Sequence, residues 1–532
     1  MTARATLALL VALVLLNAAL TFGNVWPTLW VRPEPALSIE LALALLALAL
    51  VAARRGAPPP WTTTALAALT VLLVLGRYAE VTARELYGRP VNLYHDLPHV
   101  PRVAAMFVEA APAWSVAAGT ALAVAGIAAL YVLARWAWAS VARALARTAP
   151  RRWLALAAAG ACAAYPFAPG WFADPVSLAY ARQVQVLARS LSGAAGALGA
   201  SPDFSGRFER LGRADVLVIF VESYGAATYE RPVLAGRLAP RRALLAAAIA
   251  STGRGVVSAF VESPTFGGGS WLAHASLLSG VEVREGDAYN LLLNSRRPSL
   301  ATAFAERGYR TVALMPGLRQ DWREGAAFYR FDAIYGAREL DYRGPAFGWW
   351  RIPDQYALAR LARLEEGVAP GRPRFVFFPT ITTHAPFRPT PPYDADWARV
   401  AASGPDAAGT GNGKAEWSDL ETAYGDAVSY VLAWLAGYVR ERAGDDLVLV
   451  VLGDHQPPAG VAGERASWHV PVHVITARAG LLDALVAHGF VRGLQPAPHA
   501  IARMHELTAV LVAAFGSVDK TRVDVARPAP GG

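Results

Sequence analysis

The chain contains a single cysteine among its 532 residues, so no intramolecular disulfide can form. Cys162 lies within an apolar stretch, where we interpret it as a small apolar residue of a helix. A disulfide-stapled extracellular fold is therefore excluded. The formal net charge is +9, yet no dense run of Lys and Arg interleaved with aromatic residues occurs. We therefore predict no nucleic-acid partner.

Apolar residues make up 54% of the sequence and are concentrated in its first third. They form five stretches, each close to the length needed to cross about 30 Å of hydrocarbon. These stretches cover residues 5–22, 37–53, 62–76, 116–133 and 153–168. No clear small-x-small cleavage site follows the first stretch, so we expect a retained anchor and not a removed signal peptide. The sequence predicts an α-helical membrane region of five spans over residues 1–169.

The distribution of arginine predicts the orientation of these spans. If the N-terminus is cytosolic, then Arg54, Arg55 and the arginines between 135 and 152 are cytosolic too, as the positive-inside rule favours. Five spans then end outside, so everything after Pro169 is predicted to lie outside the cytoplasmic membrane. The loop 77–115 is rich in His, Tyr and Pro. It is interpreted as a lid or lipid-entry element or, more simply, as an interfacial segment anchored by aromatics.

Beyond residue 169 the pattern changes to short apolar strands that alternate with longer helical stretches. The strands are predicted at 216–221, 311–314, 375–378, 447–452 and 470–475. Continuous apolar strands separated by helices are typical of an α/β fold with a mainly parallel, buried sheet. We predict a linker over 170–212, an extracytoplasmic catalytic domain over 213–522 and a flexible tail over 523–532.

Residues able to do chemistry follow three of the predicted strands. Glu222 follows the first strand, His384 follows the third, and Asp454 and His455 follow the fourth. Ligands of such sheets bind beyond the carboxyl ends of the strands. Glu222 could pair with an arginine, but a metal ion is the favoured partner for a carboxylate in this position. Asp454 and His455 offer an oxygen and an imidazole nitrogen, a set that suits Zn²⁺ or Mn²⁺.

A glycine run, 267–269, precedes Ser270 and a predicted helix. Glycines allow close approach to a phosphate, and a helix N-terminus favours anions. Ser270 is therefore either a helix cap after a flexible turn or a metal-activated nucleophile, and the motif alone does not decide between them. His384 and His469 could bind a phosphoryl oxygen or protonate a leaving group, although isolated histidines more often serve the fold.

These residues, in this order, resemble lipoteichoic acid synthases and related phosphoglycerol transferases. More distantly they resemble lipid A phosphoethanolamine transferases, and all three belong to the alkaline phosphatase and sulfatase superfamily. Ser270 falls at the nucleophile position of the family pattern. The other matching motifs are Phe220-Val221-Glu222-Ser223, Asp321-Trp322-Arg323, Thr383-His384-Ala385-Pro386-Phe387 and Gly453-Asp454-His455. Five spans before an external domain is also the layout of lipoteichoic acid synthases.

The resemblance implies roles for these residues. One divalent metal, Mn²⁺ or Zn²⁺ with Mg²⁺ as an alternative, would be held by Glu222, Ser270, Asp454 and His455. Ser270 would be the nucleophile and His384 a second catalytic residue. Substrate would be bound by Trp322, Arg323, His384 and His469. The activity implied is transfer of phosphoglycerol or phosphoethanolamine from a phospholipid donor, at the membrane, to a glycan or lipid acceptor.

The sequence departs from the transferase pattern at two positions, and Trp322-Arg323 aligns with it only across a gap. The nucleophile is Ser where the transferases use Thr, and His274 replaces the acidic residue four positions after it. Residues Ser270 to Ala273 lack the C/S-x-P-x-R pattern of formylglycine sulfatases, which argues against that chemistry. The sequence has no cysteine outside the membrane region, which favours a resemblance to the phosphoglycerol transferases over the phosphoethanolamine transferases. Two alternatives stay open, namely a phosphodiesterase or phosphatase of the same fold, and a non-catalytic sensor or scaffold.

Overall fold

The computed structural model describes residues 2–25, 30–87, 91–93, 97, 100–101, 104, 113–191, 198–347, 352–404, 419–463 and 465–516. The chain divides into two compact units, Met1–Ala195 and Gly196–Gly532. The predicted tail 523–532 lies outside the described residues. Residues 77–87, predicted as the start of the loop 77–115, instead continue the helix Pro60–Tyr87, and most of the rest of that loop lies outside the described residues.

The first unit is helical, with one short hairpin. Its helices are α1 Ala3–Thr21, α2 Ile39–Arg55, α3 Pro60–Tyr87, α4 Ala113–Leu145, α5 Thr148–Ala164 and α6 Val176–Leu191. The hairpin pairs β1 Gly23–Asn24 with β2 Val31–Arg32. A helix therefore covers each of the five apolar stretches predicted from the sequence. Small residues such as Ala12, Ala52 and Ala137 are buried where these helices pack.

Three of these helices are long and apolar enough to cross a membrane: α1, residues Pro60–Arg84 of α3, and α4. The prediction of five spans is therefore not confirmed. Helices α2 and α5 have 17 residues each. At about 1.5 Å per residue they rise about 26 Å, slightly less than the hydrocarbon thickness of about 30 Å. The apolar N-terminal helices do indicate a membrane anchor.

The second unit is built on one nine-stranded sheet. Its strands are β3 Asp215–Val221, β4 Gly255–Glu262, β5 Arg310–Leu314, β6 Ala333–Tyr335, β7 Arg374–Pro379, β8 Leu447–Gly453, β9 His469–Thr476, β10 Val491–Arg492 and β11 Ala500–Arg503. The strand order is β10-β4-β9-β8-β3-β7-β5-β6, with β11 beside β4. Strands β8, β3, β7, β5 and β6 run parallel, whereas β9 is antiparallel to both β8 and β4. The sheet is thus mixed but mostly parallel, as the sequence predicted.

Helices connect these strands and cover both faces of the sheet. They are α7 Ala227–Glu230, α8 Pro232–Ser251, α9 Ser270–Ser279, α10 Gly286–Leu293, α11 Leu300–Glu306, α12 Arg323–Tyr329, α13 Ala337–Leu340, α14 Asp354–Leu364, α15 Trp397–Ser403, α16 Leu420–Glu441, α17 Ala459–Ala462, α18 Ala479–Ala487 and α19 Met504–Phe515.

Strand β3 shows why the central strands are continuously apolar. Leu217 and Ile219 belong to the hydrophobic core on one face of the sheet, and Val218 and Phe220 belong to the core on the other face. A strand covered on both faces has no side on which a polar residue would be tolerated. The first polar side chain after β3, that of Glu222, therefore stands at the carboxyl edge of the sheet between β7 and β8.

Candidate metal centre and nucleophile

Three potential metal ligands meet at this edge of the sheet. One ligand atom each of Glu222, Asp454 and His455 lies within 4.8 Å of the other two, and all three residues are buried. The register of the sheet explains the meeting, because Val221 of β3 pairs with Gly453 of β8. The next residue of each parallel strand, Glu222 and Asp454, must then lie side by side.

Ser270 completes this cluster from the start of α9. Its Oγ donates a hydrogen bond to Glu222 Oε2 at 2.9 Å and lies 3.2 Å from His455 Nε2. The glycines before it have φ values of +66°, +154° and +77°, which L-residues rarely adopt. A Cβ on the last of them, Gly269, would stand 3.0 Å from Thr265 Oγ1. The glycine run thus makes the tight turn that brings Ser270 to the ligands.

The hydrogen bonds of Asp454 leave one carboxylate oxygen directed at the centre. Its Oδ1 accepts the backbone N–H groups of Ser223 and His455, both at 2.7 Å. Its Oδ2 is buried and has no hydrogen-bond partner within the described part of the chain. A buried carboxylate oxygen without a partner is costly, and a cation would satisfy it. The residues present therefore fit a divalent metal.

The ring of His455 is oriented for the same role. Its Nδ1 lies 2.7 Å from the Gln456 carbonyl oxygen, which fixes the proton on Nδ1. Its Nε2, the nitrogen left to accept, lies 3.4 Å from Glu222 Oε1 and faces Ser270 Oγ. Such an outer contact to one ring nitrogen is typical of histidines that bind metal through the other.

The electrostatics of the cluster favour a bound positive charge. Burial opposes ionisation of Glu222, but the hydrogen bond and charge of His455 outweigh it and hold the pKa of this carboxyl below its ordinary value. Burial and the charge of Glu222 raise the pKa of Asp454 to about 8. Burial lowers the pKa of His455, but the nearby carboxylates raise it to about 9. A bound divalent cation would neutralise the negative charge of Glu222 and Asp454 in place of the protons on Asp454 and His455.

The segment after β7 supports Glu222 through its backbone. Thr380 Oγ1 accepts the Glu222 N–H at 3.1 Å, and the Thr383 hydroxyl donates to the Glu222 carbonyl. His384 follows in a turn, and its charge helps to lower the pKa of Glu222. Its Nδ1 lies 2.8 Å from the Ala385 carbonyl oxygen. The structure thus brings the predicted residue His384 close to the ligand cluster.

Sequence reasoning missed Asp354, which holds this segment in place. Its carboxylate accepts the backbone N–H groups of Ile381 and Thr382 at 2.8 and 3.1 Å. Burial raises the pKa of Asp354 to about 6. Its only signal in the sequence is an acidic residue after a proline at the start of α14, a pattern shared with ordinary helix starts.

The remaining predicted substrate residues have different surroundings. His469 begins β9 beyond the carboxyl end of β8, because Leu452 pairs with Val472, and it therefore lies at the same edge of the sheet. Its ring stacks on Phe260 at 6.1 Å, and its buried Nδ1 has no hydrogen-bond partner among the described residues. Trp322 packs against Tyr329, whereas Arg323 is exposed at the start of α12. The roles of Trp322, Arg323 and His469 stay predictions.

His274, noted from the sequence as a departure from the family pattern, lies beside the ligands. Its ring packs against Phe220 and Phe377, with centroid distances of 4.5 and 5.5 Å. Its Nε2 stands 4.0 Å from Asp454 Oδ2. Burial lowers the pKa of His274 to about 3.

Comparison with known proteins supports this description. Residues 258–475 match the family model described as Sulfatase, a segment that contains Ser270, Asp454 and His455. The match confirms the resemblance to the alkaline phosphatase and sulfatase superfamily and indicates an enzyme. No curated protein matches this chain.

Several solved structures are similar to parts of the chain. The lipoteichoic acid synthase LtaP from Listeria monocytogenes is 15% identical over 53% of this chain and 69% of that one, with a TM-score of 0.34. The phosphoglycerol transferase GacH from Streptococcus pyogenes, in complex with sn-glycerol-1-phosphate, is 10% identical over 57% and 76%, with a TM-score of 0.34. The periplasmic domain of the phosphoethanolamine transferase EptC from Campylobacter jejuni is 11% identical over 57% and 89%, with a TM-score of 0.37.

Proposed function

We propose that this protein is a metal-dependent transferase that moves a phosphoglycerol or phosphoethanolamine group from a phospholipid to an extracytoplasmic acceptor through a seryl intermediate. The observation that carries the proposal is the position of Ser270. Its hydroxyl lies within hydrogen-bond distance of Glu222 and His455, inside a buried set of ligand atoms that fits a divalent cation. A residue that only capped a helix would have no need of this position.

The metal would be held by Glu222, Asp454, His455 and the hydroxyl of Ser270. When bound, Mn²⁺ or Zn²⁺ lowers the pKa of a coordinated hydroxyl and stabilises negative charge on the phosphoryl oxygens. Hydrogen bonds to backbone N–H groups help to hold the ligands Glu222 and Asp454 in place. The Glu222 N–H donates to Thr380 Oγ1, and the Ser223 N–H donates to Asp454 Oδ1. Ser270 is fixed at the N-terminus of a ten-residue helix, where the backbone N–H groups favour an anionic phosphate.

Catalysis would then proceed in two displacements at phosphorus. In the first, Ser270 loses its proton to water, Oγ bonds to phosphorus, and the bond from phosphorus to the diacylglycerol oxygen breaks. That oxygen takes a proton from His384. In the second, an acceptor hydroxyl attacks phosphorus and gives its proton to His384, while the bond to Ser270 breaks and Oγ regains a proton from water. The Ala385 carbonyl contacts His384 Nδ1, and Nε2 is the ring nitrogen that would exchange these protons.

A lipid donor is supported by the first unit of the chain. Candidate spans anchor the protein, and the Arg distribution favours a multi-pass arrangement in the cytoplasmic membrane with the catalytic unit outside. This unit also contains a cavity of about 460 Å³. Among its lining residues are Arg77 and Glu80 of a candidate span, both almost fully buried. Charged residues inside spans often mark substrate pathways, and the cavity is large enough for a lipid headgroup.

Release of diacylglycerol tests the proposal. Full-length protein would be placed in vesicles of phosphatidylglycerol or phosphatidylethanolamine, stripped with a chelator and reloaded with Mn²⁺, Zn²⁺ or Mg²⁺. We expect metal-dependent release from one lipid, lost in Ser270→Ala and kept in Ser403→Ala, which removes an exposed helix-end hydroxyl. Release from neither lipid by the metal-loaded wild type would refute the lipid-donor proposal.

The same reaction separates transfer from hydrolysis. The match to the sulfatase family model keeps a hydrolase as the second candidate, since a seryl intermediate can also be resolved by water. Labelled headgroup recovered on a glycan or lipid would support the transferase. Labelled headgroup recovered only as the free phosphate ester, in the presence of varied acceptors, would support a phosphodiesterase.

A further inference from the structure

Two buried polar atoms face each other at the candidate metal centre, and neither has a hydrogen-bond partner among the residues that the structure describes. They are His274 Nε2 and Asp454 Oδ2, 4.0 Å apart. Asp454 is 1% exposed in its side chain and His274 is 15% exposed. Unpartnered buried polar atoms are uncommon in folded proteins, and two of them in one contact call for a shared explanation.

The surroundings of His274 restrict what its ring can do. His274 lies on α9, one helical turn after Ser270. Phe220 of β3 and Phe377 of β7 contact its ring edge to face, so the ring is held between apolar neighbours. Its Nε2 points toward Asp454 and not toward bulk water. A histidine placed only to fill this core would leave a polar nitrogen unsatisfied, at a cost that an apolar side chain would avoid.

Asp454 in turn lacks a donor for one oxygen. Oδ1 is saturated by two backbone N–H groups, and Oδ2 is left for the metal and one further contact. His455 Nε2 lies 3.8 Å from the same oxygen, but this atom belongs to the ligand set and faces Ser270 and Glu222. His274 is the other imidazole beside Asp454 Oδ2, and it lies outside the ligand set.

We propose that His274 is a positioning residue of the metal centre, which donates its Nε2–H to Asp454 Oδ2 and thereby orients the ligating carboxylate. The inference rests on the proposed metal-dependent function and adds a residue to it. The present separation exceeds a normal hydrogen bond by about 1 Å, a distance that a small side-chain rotation closes. His274 itself lies outside the set of ligand atoms within 4.8 Å of one another, so its contact is with the ligand Asp454 and not with the ion.

This arrangement also explains why a histidine can stand where the family pattern has an acid. Glu222 and Asp454 already place two carboxylates in a buried site. A third would add like-charge repulsion, whereas an imidazole supplies the donor without adding negative charge. Removing a residue that hydrogen-bonds to a metal ligand typically weakens metal binding by about 10–100-fold.

Metal affinity of the full-length protein in detergent, measured by competition with a coloured chelator, tests the proposal. His274→Leu removes the N–H donor, whereas His274→Gln keeps an N–H donor at a similar distance from the backbone. Leucine and glutamine have similar helix propensities, so the two variants should affect α9 equally. We expect His274→Leu to weaken Zn²⁺ or Mn²⁺ binding by about 10–100-fold. His274→Gln should stay within about threefold of the wild type, as should the exposed control His499→Gln.

Two further measurements separate positioning from other roles. Thermal unfolding without metal should be unchanged or higher for His274→Leu, since the variant replaces an unsatisfied polar group with an apolar one. The visible spectrum of the Co²⁺-loaded protein should be the same for wild type and His274→Gln, because His274 is not a ligand. Wild-type affinity in His274→Leu, or an altered Co²⁺ spectrum in His274→Gln, would overturn the inference. A wild type that binds no metal would instead refute the proposed function.

Discussion

The hydroxyl of Ser270 donates to Glu222 Oε2 at 2.9 Å, although 48 residues separate the two in the chain. Glu222 directly follows the central strand β3, and Ser270 begins the helix α9 that returns to the same edge of the sheet. This contact joins the predicted nucleophile to the predicted metal ligands, and the following predictions depend on it or on the elements that produce it.

Ser270→Thr should keep most of the activity. Threonine retains the hydroxyl that donates to Glu222 and is the residue used by the transferases that the sequence resembles. We expect diacylglycerol release within about tenfold of the wild type, whereas loss of a nucleophile commonly costs about 10³-fold or more. Equal losses in Ser270→Thr and Ser270→Ala, with metal affinity preserved, would show that the added methyl group disturbs the site.

Gly269→Ala should impair both stability and activity. Gly269 has a φ of +77°, and an added Cβ would lie 3.0 Å from Thr265 Oγ1. A left-handed conformation costs an L-residue roughly 1–2 kcal/mol. The matched control is Gly253→Ala, with a φ of +68° and no heavy atom of the described residues within 4 Å of the new Cβ. Both variants should unfold at lower temperature, but only Gly269→Ala should also lower diacylglycerol release, by about tenfold or more, because it displaces Ser270.

Asp354→Asn should change how stability depends on pH. Burial raises the pKa of Asp354 to about 6 in the folded protein, so the folded state binds this proton more tightly than the unfolded chain does. The contribution is therefore fully present below about pH 4 and is lost as the pH rises through about 6. Asparagine cannot ionise, so this loss should be absent from the variant.

Thermal unfolding of wild type and Asp354→Asn between pH 4 and 7 checks this prediction. The difference in unfolding temperature, variant minus wild type, should increase as the pH rises through this window. The control Asp483→Asn removes an exposed carboxylate and should follow the wild type. A constant difference between Asp354→Asn and wild type at every pH would contradict the prediction.

The number of spans can be decided with reporter fusions. A reporter that is active only outside the cytoplasm would be fused after Gly56, Ala146 and Gly170. Five spans place the first two fusions in the cytosol and the third outside. Spans at α1, α3 and α4 alone would place all three fusions outside. One span then precedes the first fusion and three precede each of the other two, and an odd number of spans from a cytosolic N-terminus ends outside. We expect the five-span result, because the arginine-rich segments near residues 54 and 147 favour the cytosol.

The sequence alone determined the class of each part of the molecule. Five apolar stretches predicted five helices, and each is present, because burial in lipid or in a helical core leaves the same mark on composition. Continuous apolar strands predicted a buried and mostly parallel sheet. Residue type and position after a strand or a glycine run predicted Glu222, Ser270, Asp454, His455 and His384 as candidate site residues, since ligands of such sheets gather at the carboxyl edge.

Tertiary structure alone decided which residues act together. The register of β3 with β8 brings Glu222 beside Asp454, and no local pattern encodes that register. Asp354 was linked to the candidate site only through its contact with Thr382, and His274, which the sequence marked only as a departure from the family pattern, through its approach to Asp454. Local sequence specifies periodicity and turn chemistry, whereas the partners of a buried polar atom are fixed only when the whole sheet and its helices have packed.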